Sequence, residues 1–255
     1  MVVCKDFSPT EGFSMRIQGS TVLVTGANRG LGRLFVEELL ERGAVKVYAA
    51  SRSGIEVSQP GVVPVALDIT DPAAVAAAAA AAQDVNILIN NAGILTPTSL
   101  LEGSAAAVRQ ELETNFFGTL EMTRAFAPVI AANGGGAIHN VLSVLSWAHF
   151  PDVGAYSAAK AASWAMTNAT RQELAPQGIA VSALHVGWMD TDMGAHIPSE
   201  QKSDPAEVVS AALDAVEDGE PEVLFGELTH NVREALAGDL SQLYPDLTVR
   251  ELKAS

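Results

Sequence analysis

Residues 21–32 read TVLVTGANRGLG, and this stretch decides the fold. Its first five residues, Thr21–Thr25, are β-branched or apolar and predict a buried strand. Three glycines follow, and apolar residues then recur at helical spacing until Gly43. A strand, a glycine-rich loop and a helix in this order suit a dinucleotide, because glycines let the backbone approach a pyrophosphate and the helix N-terminus supplies free N–H groups. The alternative is a glycine-rich turn without a ligand. The candidate phosphate-binding residues are Gly26, Asn28, Arg29, Gly30, Leu31 and Gly32.

Strand-like and helical segments alternate along the rest of the chain without a break in composition. The alternation predicts an α/β fold with a Rossmann-like, doubly wound parallel sheet of about seven strands and helices on both faces. We expect residues 1–14 to form a flexible N-terminal extension and residues 15–255 to form a single domain. The further predicted strands are 46–50, 62–67, 86–90, 137–142, 179–185 and 222–225, and the further predicted helices are 72–82, 104–132, 156–175 and 205–218, followed by a short helix and a tail.

The chain is acidic, with 15 Lys and Arg against 30 Asp and Glu and a formal net charge of −15. This balance, without any basic run, argues against nucleic acid or an anionic membrane as partner. Apolar residues make up 48% of the 255 residues, which is enough for a large core. No apolar run approaches the ~18 residues of a membrane span. We therefore expect a cytoplasmic protein.

Metal-binding patterns are missing from the sequence. Cys4 is the only cysteine, which excludes an intrachain disulfide and a cysteine-cluster site. No histidine has a carboxylate or cysteine partner at metal-ligand spacing, so we expect no metal site. Only His149, in the loop before residue 156, lies near candidate site residues. The histidines are His139, His149, His185, His196 and His230.

The end of the second predicted strand indicates which dinucleotide is preferred. An acid there would bond the 2′-hydroxyl of NAD, whereas an arginine accommodates a 2′-phosphate. Here Ser51 and Arg52 follow the strand, and Arg29 lies in the glycine loop. Arginine binds phosphate through two parallel hydrogen bonds, so the pair favours NADP(H), with NAD(H) as the alternative cofactor. Taken singly, each arginine could be an ordinary surface residue.

Tyr156 and Lys160 stand four residues apart on a predicted helix and therefore project from one face. Charges ~4 Å apart at an effective dielectric of ~20 attract by ~4 kcal/mol, or roughly 3 pKa units at most. We therefore expect Lys160 to lower the pKa of the phenol toward neutrality, where general acid–base catalysis is efficient. The alternative is a chance spacing that serves packing.

Several further polar or glycine residues come directly after predicted strands. The carboxyl ends of parallel strands meet at one edge of a sheet, which is where such sheets bind ligands. We therefore expect these residues to share one site with Tyr156 and Lys160. They are Asp68, Asn91, Ser143 and Gly187.

Five motifs in order give the chain its resemblance to a family. They are Thr25-Gly26-x-x-x-Gly30-x-Gly32, Asn90-Asn91-Ala92-Gly93, Asn115, Ser143 and Tyr156-x-x-x-Lys160. The chain resembles a short-chain dehydrogenase/reductase of the compact single-domain branch, over residues 21–193. The resemblance implies an NADPH-dependent oxidoreductase that reduces a ketone or aldehyde carbonyl to an alcohol, reversibly.

The resemblance also implies a role for each matching residue. Tyr156 would be the general acid or base, and Lys160 would hold the nicotinamide ribose and lower the pKa of the tyrosine. Ser143 would hydrogen-bond the substrate oxygen. Asn115 would fix a helix kink and a water that links Lys160 to solvent. The remaining cofactor contacts implied are Asp68, Ile69, Asn91, Ala92, Gly93, Gly187, Met189 and Thr191.

Two departures from the family pattern bear on the substrate side. Val186-Gly187 replaces the usual Pro-Gly after the sixth strand, which puts the carboxamide geometry in doubt. The segment 193–204 is short, which favours an open pocket and a small or loosely specified substrate. Trp147, Phe150, Trp188 and Met193 either form an apolar pocket wall or fill the core.

Two other functions remain as alternatives. A β-ketoacyl carrier reductase would need a cationic docking face for its acidic carrier, which this acidic chain disfavours. A non-catalytic, NADP-sensing regulator should lack the tyrosine or the lysine.

The resemblance also implies a homodimer or homotetramer that pairs through the helices at 104–132 and 156–175. Small residues on the second helix would permit close contact there or packing on the sheet, namely Ala158, Ala161, Ala162 and Ala165.

Overall fold

A computed structural model describes residues 15–54, 59–194 and 198–245. The predicted N-terminal extension 1–14, Cys4 and His196 lie outside the described residues. Seven strands form one parallel sheet in the order β3-β2-β1-β4-β5-β6-β7, so the predicted doubly wound sheet is confirmed. The strands are β1 Thr21–Thr25, β2 Lys46–Ser51, β3 Val62–Ala66, β4 Ile87–Asn90, β5 Gly136–Val141, β6 Ile179–Val186 and β7 Glu222–Phe225.

Helices connect the strands and cover both faces of the sheet. The predicted loop at 144–153 contains two short 3-10 turns, Val144–Ser146 and Pro151–Val153. The α-helices are α1 Gly30–Glu41, α2 Pro72–Ala81, α3 Ala105–Leu112, α4 Thr119–Ala132, α5 Gly154–Leu174, α6 Pro205–Asp218, α7 Glu227–Ala235 and α8 Leu240–Leu243.

The central strand β1 shows how the core is divided between the two faces. Its residues are all buried, and alternate side chains point to opposite faces. Val22 and Val24 pack with Phe35 of α1 in one cluster, to which α6 also contributes. Leu23 packs with Phe126 of α4 in the other cluster. Burial on both faces explains why the strand is a continuous apolar run rather than an alternating one.

The long helix predicted at 104–132 is interrupted by a π-helical turn at Glu113–Gly118. This turn contains Asn115, whose backbone carbonyl accepts hydrogen bonds from Thr119 Oγ1 at 3.1 Å and Ser163 Oγ at 2.8 Å. Single π-turns inside α-helices are frequent at functional sites, because they redirect backbone groups that a regular helix would use internally. The interruption therefore places Asn115 against α5, the helix that carries Tyr156 and Lys160.

The exposure of the small residues on α5 decides whether they pack on the sheet or face outward. Ala158 and Ala165 are exposed, and Ala161 and Ala162 are half-buried, so these alanines do not pack on the sheet within one chain. Pairing of two chains through this face stays a prediction. In the part of the chain that the structure describes, no helix combines the length and apolar character needed to cross a bilayer.

Candidate active site

One cavity of about 930 Å³ lies at the carboxyl ends of the strands. It brings together all the residues that the sequence predicted as catalytic or cofactor-binding. Those residues are Gly26, Asn28, Arg29, Gly30, Leu31, Gly32, Ser51, Arg52, Asp68, Ile69, Asn91, Ala92, Gly93, Asn115, Ser143, Tyr156, Lys160, Gly187, Met189 and Thr191.

The floor of the cavity is the glycine loop between β1 and α1. A Cβ at Gly32 would stand 2.1 Å from the carbonyl oxygen of Gly26, so only glycine lets the first turn of α1 approach the strand. Asn91 supports the loop from the neighbouring strand, because its amide donates to the carbonyl of Thr25 at 2.9 Å. The backbone N–H groups of Asn91 and Ala92 both donate to Thr25 Oγ1 at 3.0 Å. These bonds fix the N-terminus of α1 and its N–H groups toward the cavity.

Charged residues lie at the glycine-loop side of the cavity. A backbone hydrogen bond from Thr70 is the largest influence on Asp68 and lowers the pKa of its carboxyl, and the charge of Arg52 lowers it further. Arg29 forms an ion pair with Asp192 at 3.1 Å, with both side chains largely exposed. Sequence reasoning missed Asp192, because the two residues are far apart in the chain. The arginines thus meet different carboxylates, and each guanidinium still lines the cavity.

Tyr156 and Ser143 form the polar centre of the opposite side. Tyr156 is only 7% exposed and Ser143 8% exposed, yet both line the cavity. The Ser143 hydroxyl lies near enough to the Tyr156 phenol to lower its pKa through a hydrogen-bonding interaction. Ser143 Oγ also accepts the backbone N–H of Leu145 at 3.1 Å, which orients the hydroxyl at the start of a 3-10 turn. Two hydroxyl groups are therefore held together where a carbonyl oxygen could accept from both.

The expected acidification of Tyr156 by Lys160 is wrong in this structure. Burial raises the pKa of Tyr156 above its ordinary value, and the hydrogen bond with Ser143 only opposes the rise. Desolvation disfavours the charged phenolate, and no short contact to Lys160 compensates. Lys160 Nζ lies 5.6 Å from the ring centroid of Tyr156 and donates to the carbonyl of Val141 at 2.9 Å. The phenol consequently keeps its proton at neutral pH, which is the state that a general acid requires.

Lys160 is itself buried, and burial lowers its pKa to about 8. Its ammonium group reaches the cavity beside Gly93. A Cβ at Gly93 would stand 3.8 Å from Lys160 Nζ and 2.7 Å from Asn115 Oδ1, so glycine leaves room for both side chains. The Asn-Asn-Ala-Gly motif thus ends where the lysine and the asparagine approach one another.

Sequence reasoning missed one charged residue behind the cavity, Glu111 of α3. It is fully buried, and its carboxylate accepts the side-chain N–H of Asn115 at 2.7 Å. Its negative charge acts on both Tyr156 and Lys160. The available signal was its spacing, since Glu111 precedes Asn115 by four residues and side chains at that distance meet on a helix.

An apolar wall surrounds Ser143 and Tyr156, which resolves the alternatives for the large apolar residues. Phe150, Trp188 and Met193 line the cavity, whereas Trp147 is buried and stacks on His185 with ring centroids 3.8 Å apart. His149 is exposed and does not line the cavity. The apolar wall includes Leu95, Val144, Leu145, Phe150, Trp188, Met193 and Leu228.

The distribution of charge divides the cavity into two parts. Most of the charged lining residues belong to the glycine loop, to the ends of β2 and β3, or to the loop after β6. Lys160 is the one charged lining residue beside the hydroxyl pair, among the residues that the structure describes. Groups of three or more metal-ligand side chains are absent from these same residues. The charged lining residues are Arg29, Arg52, Asp68, Lys160 and Asp192.

Comparison with known proteins places these features in a family. The family model described as short chain dehydrogenase matches residues 20–202. The short chain dehydrogenase tazN of Aspergillus terreus is 35% identical over 70% of this chain. That match covers only 43% of the relative's length. The 3-oxoacyl-[acyl-carrier-protein] reductase FabG of Vibrio cholerae is 31% identical over 77% of this chain and 89% of its own.

A solved structure shows the same fold at higher identity. It is a short chain dehydrogenase from Burkholderia cenocepacia in complex with NADP. The two chains are 44% identical, with a TM-score of 0.87, over 92% of this chain and 100% of that one.

Proposed function

The chain belongs to the short-chain dehydrogenase/reductase family, and on that premise we propose that it is an NADPH-dependent reductase of ketone or aldehyde carbonyls. The reaction yields an alcohol and is reversible. The observation that carries the proposal is the hydroxyl pair of Ser143 and Tyr156, which lies in an apolar part of the cavity whose other part is the glycine loop.

The residues present fit NADP(H). Gly26 and Gly32 let the backbone approach a pyrophosphate at the N-terminus of α1. Arg52 directly follows the end of β2, where the adenine ribose is bound in such folds, and neither Ser51 nor Arg52 is a carboxylate that could accept from a 2′-hydroxyl. Arg29 is a second cation at this side of the cavity. NADP is also present in the similar Burkholderia structure.

When bound, NADPH supplies the hydride to the carbonyl carbon. Tyr156 is protonated at neutral pH and donates its proton to the carbonyl oxygen. Ser143 donates a hydrogen bond to the same oxygen as negative charge develops on it. Lys160, with a pKa of about 8, is the nearest group that can return a proton toward Tyr156 between turnovers.

The apolar wall favours a neutral carbonyl substrate. A carboxylate or phosphate placed beside Ser143 would be desolvated among apolar side chains, with Lys160 as the one cation of the described lining there. A neutral ketone with apolar substituents would be desolvated at little cost.

The direct test is NADPH oxidation by the purified protein with a panel of neutral ketones and aldehydes and with their carboxylated analogues. We expect turnover with neutral members and a much higher KM for the charged analogues. Binding of NADPH without turnover of any panel member would instead favour an NADP-sensing regulator. Faster turnover of the carboxylated analogues would contradict the proposed apolar substrate.

A 3-oxoacyl carrier reductase remains the second candidate, because the Vibrio relative carries that name over most of its length. Its docking partner is acidic, and this chain has a formal net charge of −15. A 3-oxoacyl thioester should therefore be reduced no faster as the carrier-bound form than as a small thioester. A large preference for the carrier-bound form would favour the second candidate.

A further inference from the structure

Glu111 is a carboxylate buried without a cation. Its side chain is fully buried on α3. The carboxylate accepts the backbone N–H of Thr96 at 2.6 Å, the hydroxyl of Thr96 at 2.5 Å and the amide of Asn115 at 2.7 Å. Two of these donors are N–H groups that cannot accept, so both carboxyl oxygens serve as acceptors. Within the described ranges, no lysine, arginine or histidine forms an ion pair with it. Burial of a charge without an ion pair is costly, so we expect a role that explains why Glu111 is buried here.

The first consequence of this arrangement is a fixed Asn115. One amide hydrogen of Asn115 goes to Glu111 and the other to the carbonyl of Ile94 at 3.0 Å. The amide oxygen accepts the backbone N–H of Ile94 at 3.2 Å. The side chain therefore has one orientation, and it holds the backbone that follows Gly93 beside Lys160.

The second consequence is electrostatic. The groups that face Tyr156 and Lys160 are Ser143 and the carbonyl of Val141 after β5, Asn115 from the π-turn and Glu111 from α3. Of these, only Glu111 is charged. Its charge favours the ammonium form of Lys160 against the desolvation that favours the neutral amine. It also favours the protonated phenol of Tyr156.

We propose that Glu111 is a positioning residue of this active site, whose buried carboxylate orients Asn115 and places a negative charge behind Lys160 and Tyr156. The inference rests on the proposed function for its kinetic consequence. Its electrostatic part concerns the protein alone and can be measured without turnover.

The test compares Glu111→Gln with Glu113→Gln, an exposed glutamate two residues along the same segment. The titration of Lys160 is followed by NMR of lysine-labelled protein, with Lys160→Arg to assign the signal. Removing a negative charge destabilises the ammonium, so we expect the midpoint to fall by about one pH unit in Glu111→Gln. In Glu113→Gln it should stay at the wild-type value. An unchanged midpoint in Glu111→Gln overturns the inference, whether or not the protein reduces any carbonyl.

The kinetic readout is the pH profile of kcat/KM for carbonyl reduction. Lys160 returns the proton to Tyr156, and loss of the Glu111 charge lowers the Lys160 pKa of about 8, so the basic limb that reports Lys160 should shift by about one unit to lower pH. A residue with only a structural role would lower the plateau and leave the limb in place, which would overturn the proposal. If Glu111→Gln does not fold, Glu111→Leu combined with Thr96→Val replaces it, which removes the carboxylate together with one of its three donors, the Thr96 hydroxyl.

Discussion

At the scale of single residues, the site depends on which groups hold a proton in a buried place. Tyr156 keeps its proton because a buried phenolate is poorly solvated. Lys160 sits near neutrality, with a pKa of about 8, because burial and the charge of Glu111 oppose each other. A protonated Tyr156 beside Lys160, which titrates near physiological pH, can donate a proton to the substrate and then be protonated again.

Replacing Ser143 tests the catalytic role of the hydroxyl pair formed by Ser143 and Tyr156. Ser143→Ala should lower kcat roughly 100-fold, since it removes a donor aimed at the charge that develops in the transition state. KM should change little, because the apolar wall remains. The measurement is steady-state reduction of the best panel substrate at saturating NADPH.

Ser146→Ala is the matched control for this variant. Its hydroxyl is buried in the 3-10 turn that Ser143 precedes and has no hydrogen-bond partner among the residues that the structure describes. We expect near wild-type kcat. Equal losses in the two variants would mean that the turn, rather than the Ser143 hydroxyl, limits the reaction.

Residue-level prediction from the sequence succeeded where spacing carries the information. The spacing of four between Tyr156 and Lys160 and the strand-end positions of Ser143 and Asn91 placed all of them in one cavity. It failed for the acidity of Tyr156, because the degree of desolvation depends on the packed cavity and not on local spacing. The ion pair between Arg29 and Asp192 could not be predicted either, because the two residues are distant in sequence.

At the scale of elements, the ends of strands determine which residues meet. The bounds of β1, β7 and α6 were predicted without error, because apolar periodicity ends there at glycine, proline or acidic residues. Apolar periodicity did not predict the π-turn at Glu113–Gly118, although the family resemblance implied a helix kink fixed by Asn115. One inserted residue barely disturbs a 3.6-residue pattern, so the sequence reads as a continuous helix.

The end of β2 carries the prediction on cofactor choice. Arg52→Gln should raise the Kd for NADPH roughly 10- to 100-fold, because a charge-assisted hydrogen bond is worth about 1.5–3 kcal/mol. The Kd for NADH should stay within about twofold, as NADH has no 2′-phosphate. Both values can be measured by fluorescence titration.

Arg33→Gln is the control for this cofactor effect. Arg33 is an exposed arginine of α1 that pairs with Glu37 at 3.5 Å. It should leave both affinities unchanged. An equal weakening of NADPH and NADH by Arg52→Gln would contradict a 2′-phosphate contact.

At the scale of the whole molecule, stability depends on buried groups that resist protonation. His139 is fully buried, and burial lowers its pKa to about 4, with the charge of His185 as a lesser cause. Glu222 has a pKa of about 2, held down chiefly by His185, whose Nε2 lies 3.6 Å from the carboxylate, and also by the N–H of Trp164 at 2.9 Å. Both groups have a lower pKa in the folded chain than in the unfolded chain. Each therefore contributes stability that is present at higher pH and is lost as pH falls.

For His139 this window lies between its ordinary pKa of 6.5 and about 4. In that window the unfolded chain binds a proton that the folded chain does not. The free energy of unfolding should fall across it by about 3 kcal/mol at most, as measured by urea unfolding. His139→Gln should flatten this dependence, although it loses packing at all pH values.

His149→Gln serves as the control, because this histidine is exposed and should leave the pH dependence unchanged. The same slope in wild type and His139→Gln would show that other groups cause the acid sensitivity. Glu222 should add a separate loss at lower pH, from its ordinary value of 4.5 toward about 2.

The most direct measurement is the rate of NADPH oxidation with a neutral ketone by wild type and Tyr156→Phe. The account predicts turnover by wild type and a loss of at least roughly 100-fold in the variant, with NADPH binding retained. Tyr48→Phe, which removes a surface hydroxyl bonded to Asp84 at 2.8 Å, should keep wild-type activity. Full activity of Tyr156→Phe would contradict the claim that this phenol delivers the proton.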